Sequence, residues 1–207
     1  MKVTLDSATL TSIHSLGISA SKDDVTPVIT QIALEREGDA LRAMTTDRYM
    51  VLSGLYSGVE FEDWDDGDTI LVDPSALKRA IDIKKANKNG TLPIVITKNE
   101  HGCVSAVVDT LSLVDLGSVQ GKFPPVTKLF PAGEPTGAGS LNIRPDFLAK
   151  LAKVLPPVAR PQRERVWRFE FRTMEDSPNK PQPVYAQYSD ADTYKLEALI
   201  QPALPKR

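Results

Sequence analysis

Hydrophobic and polar positions first become regular between Thr26 and Gly54. Val28, Thr30, Ile32 and Leu34 alternate with Ile29, Gln31 and Ala33, which is the two-residue period of a strand with one buried face. Glu37-Gly38-Asp39 predicts a tight reversal, because glycine tolerates the positive φ that hairpin turns demand. Leu41 to Thr45 reads as the returning strand, Asp47 as the start of a polar turn, and Tyr49 to Leu52 as a third strand. Together they predict an antiparallel meander.

Before the meander, Val3 to Leu5 predicts a short strand, and Asp6 or Ser7 is placed to cap a helix. Leu10, Ile13 and His14 share one face of that helix, with His14 expected to line the face rather than act as a ligand or base. Gly17 is expected to end it. After the meander, Thr69 to Val72 predicts a strand. Asp73-Pro74 is a strong helix start, with an acceptor side chain at the cap and a proline where a missing N–H costs nothing. Leu77, Ala80 and Ile81 fall on one face of this helix and Lys78, Asp82 and Lys85 on the other. Arg79 stands beside them, and Lys84 and Lys88 extend the positive charge. Asn89-Gly90 closes the helix, and Ile94 to Thr97, Val104 to Val108 and Leu111 to Leu116 follow as strands. Strand, helix and three strands thus occur twice, over residues 3–56 and 69–116, with little residue identity between the copies.

A third unit follows. Ala132 to Gly139, rich in glycine and proline, reads as a linker. Leu141 to Ile143 restarts a strand, and Pro145 opens a helix with Phe147, Leu148, Leu151 and Leu155 opposite Asp146, Lys150 and Lys153. Val166 to Arg172 alternates, with Trp167, Phe169 and Phe171 inward and Arg168, Glu170 and Arg172 outward. Val184 to Ser189 and Tyr194 to Ile200 complete the set. The expected organisation is a two-unit domain over 1–131, the linker at 132–139, and a second domain over 140–207. That second domain is either reduced but complete, or a half that must pair with something, since an unpaired half would bare a sheet edge.

Composition narrows the function classes. Hydrophobic content of 41% and charged content of 25% are those of an ordinary globular protein. No apolar run approaches the roughly 20 residues of a membrane span, and Met1-Lys2-Val3 leads straight into an amphipathic pattern, so no signal peptide is expected. One cysteine, Cys103, forbids an intrachain disulfide, fits a reducing cytoplasm, and reads as a small packing residue in a strand. The net charge of −2 hides an uneven distribution: Glu60, Glu62, Asp63, Asp65, Asp66 and Asp68 form an acidic run, while cations gather on two helices.

Catalytic and metal chemistry finds little material. Gly117 to Lys122 is one spacer short of a phosphate-binding loop and is followed by Phe123 where Ser or Thr is required. Asp63 to Gly67 mimics a calcium loop, but Pro74 stands where the terminal Glu should be. A solvated acidic loop is the better reading. Two histidines and one cysteine are too few for a typical zinc site, and no Gly-x-Ser-x-Gly elbow occurs. The chain is therefore expected to be no enzyme, with no cofactor and no metal.

The apolar stretch after Thr26-Pro27, the Glu37-Gly38-Asp39 turn, and Thr46-Asp47-Arg48-Tyr49 before an apolar run together resemble the first domain of bacterial sliding clamps, the polymerase III beta subunit family. Gly121-Lys122-Phe123-Pro124, with Leu129-Phe130-Pro131 after it, resembles the end of that domain, and Leu199 to Leu204 resembles the final strand and tail of the last one. Bacterial clamps carry three domains of two units each, and the trimeric eukaryotic and phage clamps carry two such domains. Three units make one and a half.

The resemblance implies an α+β DNA-clamp fold, with antiparallel sheets outside and helices inside. It implies a cytoplasmic, non-enzymatic processivity factor that forms a homo-oligomeric ring around double-stranded DNA. Its partners would be a DNA polymerase and a clamp loader, with no membrane. The rival reading is a clamp-derived interaction protein that binds a polymerase, a loader or a resident clamp without encircling DNA. Lys78, Arg79, Lys84, Lys85, Lys88, Lys150, Lys153 and Arg160 would then face duplex phosphate. Leu111, Leu113 and Val114 would reach an oligomer interface. Leu199, Gln201, Pro202 and Ala203 would wall a groove for a partner peptide, unless Leu199 simply packs the last strand into the core. The first helix departs from the scheme, having no Lys or Arg between Asp6 and Gly17.

Overall fold

In the computed structural model the repeated units build two antiparallel sheets and exchange strands as they do so. The structure describes residues 1–86, 93–108, 112–130, 143–154, 156, 166–170, 183–190 and 194–202. The first sheet has the order β5–β1–β7–β8–β9, built from β1 (Lys2–Leu5), β5 (Glu60–Glu62), β7 (Ile94–Lys98), β8 (Val104–Val107) and β9 (Leu113–Gly117). The second has the order β10–β11–β12–β4–β3–β2–β6. It is built from β2 (Ile32–Glu37), β3 (Ala40–Thr46), β4 (Met50–Tyr56), β6 (Thr69–Val72), β10 (Arg168–Glu170), β11 (Val184–Asp190) and β12 (Tyr194–Ile200). The opening strand of each repeat lies in the sheet of the other: β1 pairs with β7, and β6 pairs with β2. Separating the two repeats would therefore break both sheets.

Among the described residues three α-helices, α1 (Ser7–Leu16), α2 (Pro74–Ala86) and α3 (Pro145–Lys153), accompany the sheets. Both begin-signals on the first two helices are used as read. The Asp6 carboxylate accepts from the Thr9 N–H at 2.6 Å, and the Asp73 carboxylate accepts from the Ala76 N–H at 2.7 Å. Leu10, Ile13 and Leu16 of α1, Leu77, Ala80 and Ile81 of α2, and Phe147 and Leu151 of α3 join one core with the inward residues of both sheets. A smaller cluster covers the opposite face of the second sheet, where Phe123 and Val126 lie over Ala33, Met44, Val51, Leu71, Tyr185 and Leu199. Burial on both faces explains why β4 and β12 read as near-continuous apolar runs rather than alternating ones.

The third unit closes onto the first. β12 runs antiparallel to β4 over seven residues, from Tyr194 opposite Tyr56 to Ile200 opposite Met50. The edge that a lone half would bare is thus covered by the same chain. A charge network crosses the joint. Arg42 on β3 forms a two-pronged pair with Glu37, and its guanidinium also donates to Ser53 Oγ at 3.0 Å and to Glu197 on β12 at 3.3 Å. Glu197 accepts from Tyr185 Oη at 2.7 Å and pairs with Lys195 at 2.7 Å. The Arg42 and Glu197 side chains are only 12% and 8% exposed. A second tie joins Lys150 of α3 to Asp47 in the β3–β4 turn at 2.6 Å, and the same Asp47 accepts from the N–H groups of Tyr49 and Met50.

Several expectations are corrected. Residues Pro27–Thr30 form a 3₁₀ turn, not the first half of a strand. Pro27 supplies its first position, the Thr30 hydroxyl donates to the Pro27 carbonyl, and Ile29 turns into the outer cluster. Gly17 does not adopt a left-handed cap: its φ is −55, and the helix tightens into a 3₁₀ turn over Gly17–Ser19. Its lack of a side chain serves close approach, since a Cβ there would lie 3.1 Å from Pro74 Cβ. Cys103 precedes β8 and is exposed, because the Asn99 side chain holds residues 99–103 in a turn that delays the strand. Within the acidic run, Glu60–Glu62 form the edge strand β5. Trp64 is buried and donates to the Asp68 carbonyl, so the loop is pinned at its centre. Leu148 is 44% exposed rather than buried with Phe147. The helix end at Asn89-Gly90, the linker and Phe171 lie outside the described residues.

Two stability predictions follow from the joint. Arg42→Ala leaves Glu197 buried with only Lys195 and Tyr185, and should cost about 3 kcal/mol in urea unfolding, against less than about 1 for Glu37→Ala at the exposed end of the network. Lys150→Glu should cost about 1–2 kcal/mol by setting two carboxylates against each other, whereas Lys85→Glu should stay within about 0.5 kcal/mol of the parent.

Candidate nucleic-acid interface

The cations cluster because three helix ends are forced together. Gly17 lets the end of α1 abut Pro74 at the start of α2, and α3 packs on the 3₁₀ turn that follows α1. Between them lies a cleft of about 520 Å³, lined by His14 and Ser15 from α1, Pro74, Ser75 and Lys78 from α2, and Lys153 from α3. His14 is half-buried. Burial first, and then the nearby Lys78 charge, hold its imidazole below the ordinary histidine value, with Lys85 acting in the same sense and Asp82 against it.

Along α2, Lys78, Arg79 and Lys85 stand on the exposed side, opposite Leu77, Ala80 and Ile81. Lys78 donates to both Asp82 oxygens at 2.6 Å, and that hydrogen bond holds the Asp82 carboxyl below its ordinary range. The Arg79 guanidinium reaches the Asp115 carbonyl at 3.4 Å. Lys84 turns inward and is only 8% exposed, one position round the helix from the apolar stripe. On α3, Lys153 is exposed and reaches the cleft, while Lys150 is held by Asp47. Lys78 and Lys153 therefore meet at the cleft, Arg79 and Lys85 are exposed along α2 with Arg79 turned toward β9, and Lys84 and Lys150 are engaged elsewhere. Lys88 and Arg160 lie outside the described residues.

The remaining candidate residues sit at two sheet margins. Leu113 on β9 is 70% exposed, and no described strand pairs beyond β9. Val114 is buried, so it offers that edge its backbone alone; Leu111 lies outside the described residues. At the other end, Leu199 packs in the outer cluster against Tyr185, Phe123 and Val126. The Gln201 N–H donates to the Tyr49 carbonyl at 2.9 Å, Pro202 is buried, and Ala203 lies outside the described residues. Among the described residues no group of three His, Cys, Asp or Glu could hold a metal, and no helix is long and apolar enough to cross a membrane. His14, Ser15 and Ser75 were not visible as site residues from the pattern. A lone histidine in the last turn of a cation-free helix becomes a site residue only once α2 and α3 are set beside it.

No family model matches the chain. It is 28% identical over 134 residues to the beta sliding clamp of Micrococcus luteus, a match covering 61% of this chain and 39% of that protein. Its fold superposes on the DNA polymerase III subunit beta from Pseudomonas aeruginosa with a TM-score of 0.64 at 13% identity, covering 99% of this chain and 66% of that one. A putative DNA polymerase III beta subunit from Eubacterium rectale gives 0.58 at 11% identity, covering 98% and 65%. The DNA polymerase sliding clamp from Bacillus subtilis gives 0.54 at 14%, covering 98% and 49%. The chain thus spans about two fifths of the curated relative, and half to two thirds of these solved structures. Two antiparallel sheets backed by helices, in this order and with these neighbours, make the fold the α+β DNA-clamp fold, and the chain is similar to the bacterial beta sliding clamps over part of their length.

Proposed function

We propose that the protein is a non-enzymatic, sliding-clamp-like processivity factor that holds double-stranded DNA against the helix layer and tethers a DNA polymerase. The observation that carries this reading is that Lys78 and Lys153 meet at one cleft of a clamp-fold helix layer, with Arg79 and Lys85 exposed on the same helix as Lys78, while Glu60 and Glu62 lie on the edge strand β5 and Asp66 and Asp68 lie against Gly38 and Arg36 of the β2–β3 hairpin in the second sheet. Contacts of that kind neutralise phosphates without reading bases, which is what sliding requires. Encirclement needs a second copy. The free edge at β9, with Leu113 exposed beside it, supplies one half of a head-to-tail joint. A polymerase peptide would dock at the Leu199–Pro202 end, where the exposed Tyr49 borders the buried apolar cluster.

The second reading, a clamp-derived interaction protein that does not encircle DNA, is favoured by one observation. The edge of β4 is already occupied by β12 of the same chain, which leaves fewer strand edges for joining copies.

Three measurements separate these readings. Light scattering should give a mass above the monomer at physiological salt; a concentration-independent monomer rejects the ring. Protein loaded on nicked circular DNA should persist and be lost on linearisation, whereas the interaction protein shows no topological dependence. The triple variant Lys78→Gln, Lys85→Gln, Lys153→Gln should keep the fold, weaken duplex binding, and flatten the salt dependence by roughly 0.9 in slope for each phosphate contact removed. Parental binding by that variant would take DNA off this face.

A further inference from the structure

The cleft between the helix ends does something a flat basic surface does not. Three chain segments far apart in sequence each contribute a group that can carry positive charge: His14 from α1, Lys78 from α2 and Lys153 from α3. Ser75 adds an exposed hydroxyl at its wall, the Ser15 hydroxyl being spent on the Ser12 carbonyl at 2.6 Å, and the first turn of α2 opens toward it. Asp73 already satisfies the Ala76 N–H, so the charge of the site comes from side chains and the helix end only adds to it. Among the described residues the carboxylate that acts on His14 is Asp82, which is held by Lys78 through an exposed pair one helical turn apart, a contact weak enough to open for a competing anion. The walls are otherwise Gly17, Ile18 and Pro74, which exclude water without competing for an anion.

We propose that this cleft is a phosphate seat in which His14 takes up a proton as the phosphate enters. The proposal deepens the DNA-binding reading above by naming one phosphodiester contact and coupling it to pH; a free phosphate presents the same chemistry. The physics is a competition. Burial and then the Lys78 and Lys85 charges favour the neutral imidazole, with Asp82 opposing them, and Lys153 lines the cleft from the α3 side. A phosphate between Lys78 and Lys153 supplies an anion beside the ring, cancels that repulsion and makes the imidazolium the better partner, since both ring nitrogens then donate. The sign follows: the bound form holds the proton to higher pH than the free form, so affinity rises as pH falls through the His14 titration. One linked proton limits the gain to about tenfold per pH unit.

The chain has two histidines, His14 and the exposed His101, so their ring signals in NMR can be assigned with His14→Gln alone. The full chain is titrated from pH 5 to 8 free, with inorganic phosphate, and with a short blunt DNA duplex. The expected result is that the duplex raises the His14 pKa and leaves His101 unmoved. Duplex affinity should also gain several-fold between pH 7.5 and 6 in the parent and not in His14→Gln, and Lys78→Gln with Lys153→Gln should abolish both effects. If inorganic phosphate moves His14 and the duplex neither moves it nor binds, the seat stands for a free phosphate and the DNA reading falls. If the duplex binds while neither ligand moves His14, the seat is overturned and the DNA reading survives. Should His14→Gln lose the fold by circular dichroism, His101→Gln assigns the ring signals by elimination, and loss of the His14 shift in Lys78→Gln with Lys153→Gln carries the test.

Discussion

The last unit of the molecule depends on the pairing of β12 with β4. Seven consecutive residues of the closing strand lie against seven of the meander, which gives the last unit a sheet to belong to and the meander a neighbour at its open side. The cost of a bare strand edge drives this: each unpaired backbone group would have to be solvated in a region otherwise covered by apolar side chains. With β12 in place, β11 and β10 extend the sheet outward, and α3 is delivered to the end of α1. Of the three helices that line the cleft, α3 with Lys153 is the one that belongs to the unit this joint holds in place.

Charge at the joint does a different job from charge on the helices. Arg42 and Glu197 are nearly buried and lie across three adjacent strands, Arg42 bonded further to Ser53 and Glu197 to Tyr185 and Lys195. Buried pairs of this kind add little net stability over an apolar pair, but they penalise any register in which one partner is left alone. Slipping β12 by one residue would turn Glu197 to the other face, away from Arg42, which would keep only Glu37 and Ser53. The lysines of α2 and α3 work in the opposite regime. Lys78, Lys85 and Lys153 are exposed and screened by salt, so they cost the fold little and remain available to an outside anion, whereas Lys84 is buried. Lys150 has crossed from one class to the other. Its place on an amphipathic helix is that of a surface cation, yet its partner is Asp47 of the β3–β4 turn.

Much of the local structure could be read directly from residues. The two capping aspartates, the Gly38 reversal with φ of +60, the helix faces and most strands follow from short-range sterics and from the 3.6- and two-residue periods. The errors share one cause. Val28 and Thr30 alternate as a strand should, but Pro27 sets the backbone and the outer cluster draws Ile29 inward, so the alternation is that of a turn. Gly17 was legible as a helix end but not for its reason, which is a contact with Pro74 far along the chain.

What the sequence determined by itself is the succession of units, the placement of cations on helix faces opposite apolar stripes, and the punctuation that resembles the clamp family, because each depends on neighbours within a few residues. What only the tertiary structure decided is which strand joins which sheet, which lysines are left exposed, and that a solitary histidine faces two of them across a cleft. Those outcomes turn on contacts between residues as distant as Asp47 and Lys150, or Arg42 and Glu197. Periodicity carries no information about such pairs, since it records which face is buried and not what buries it.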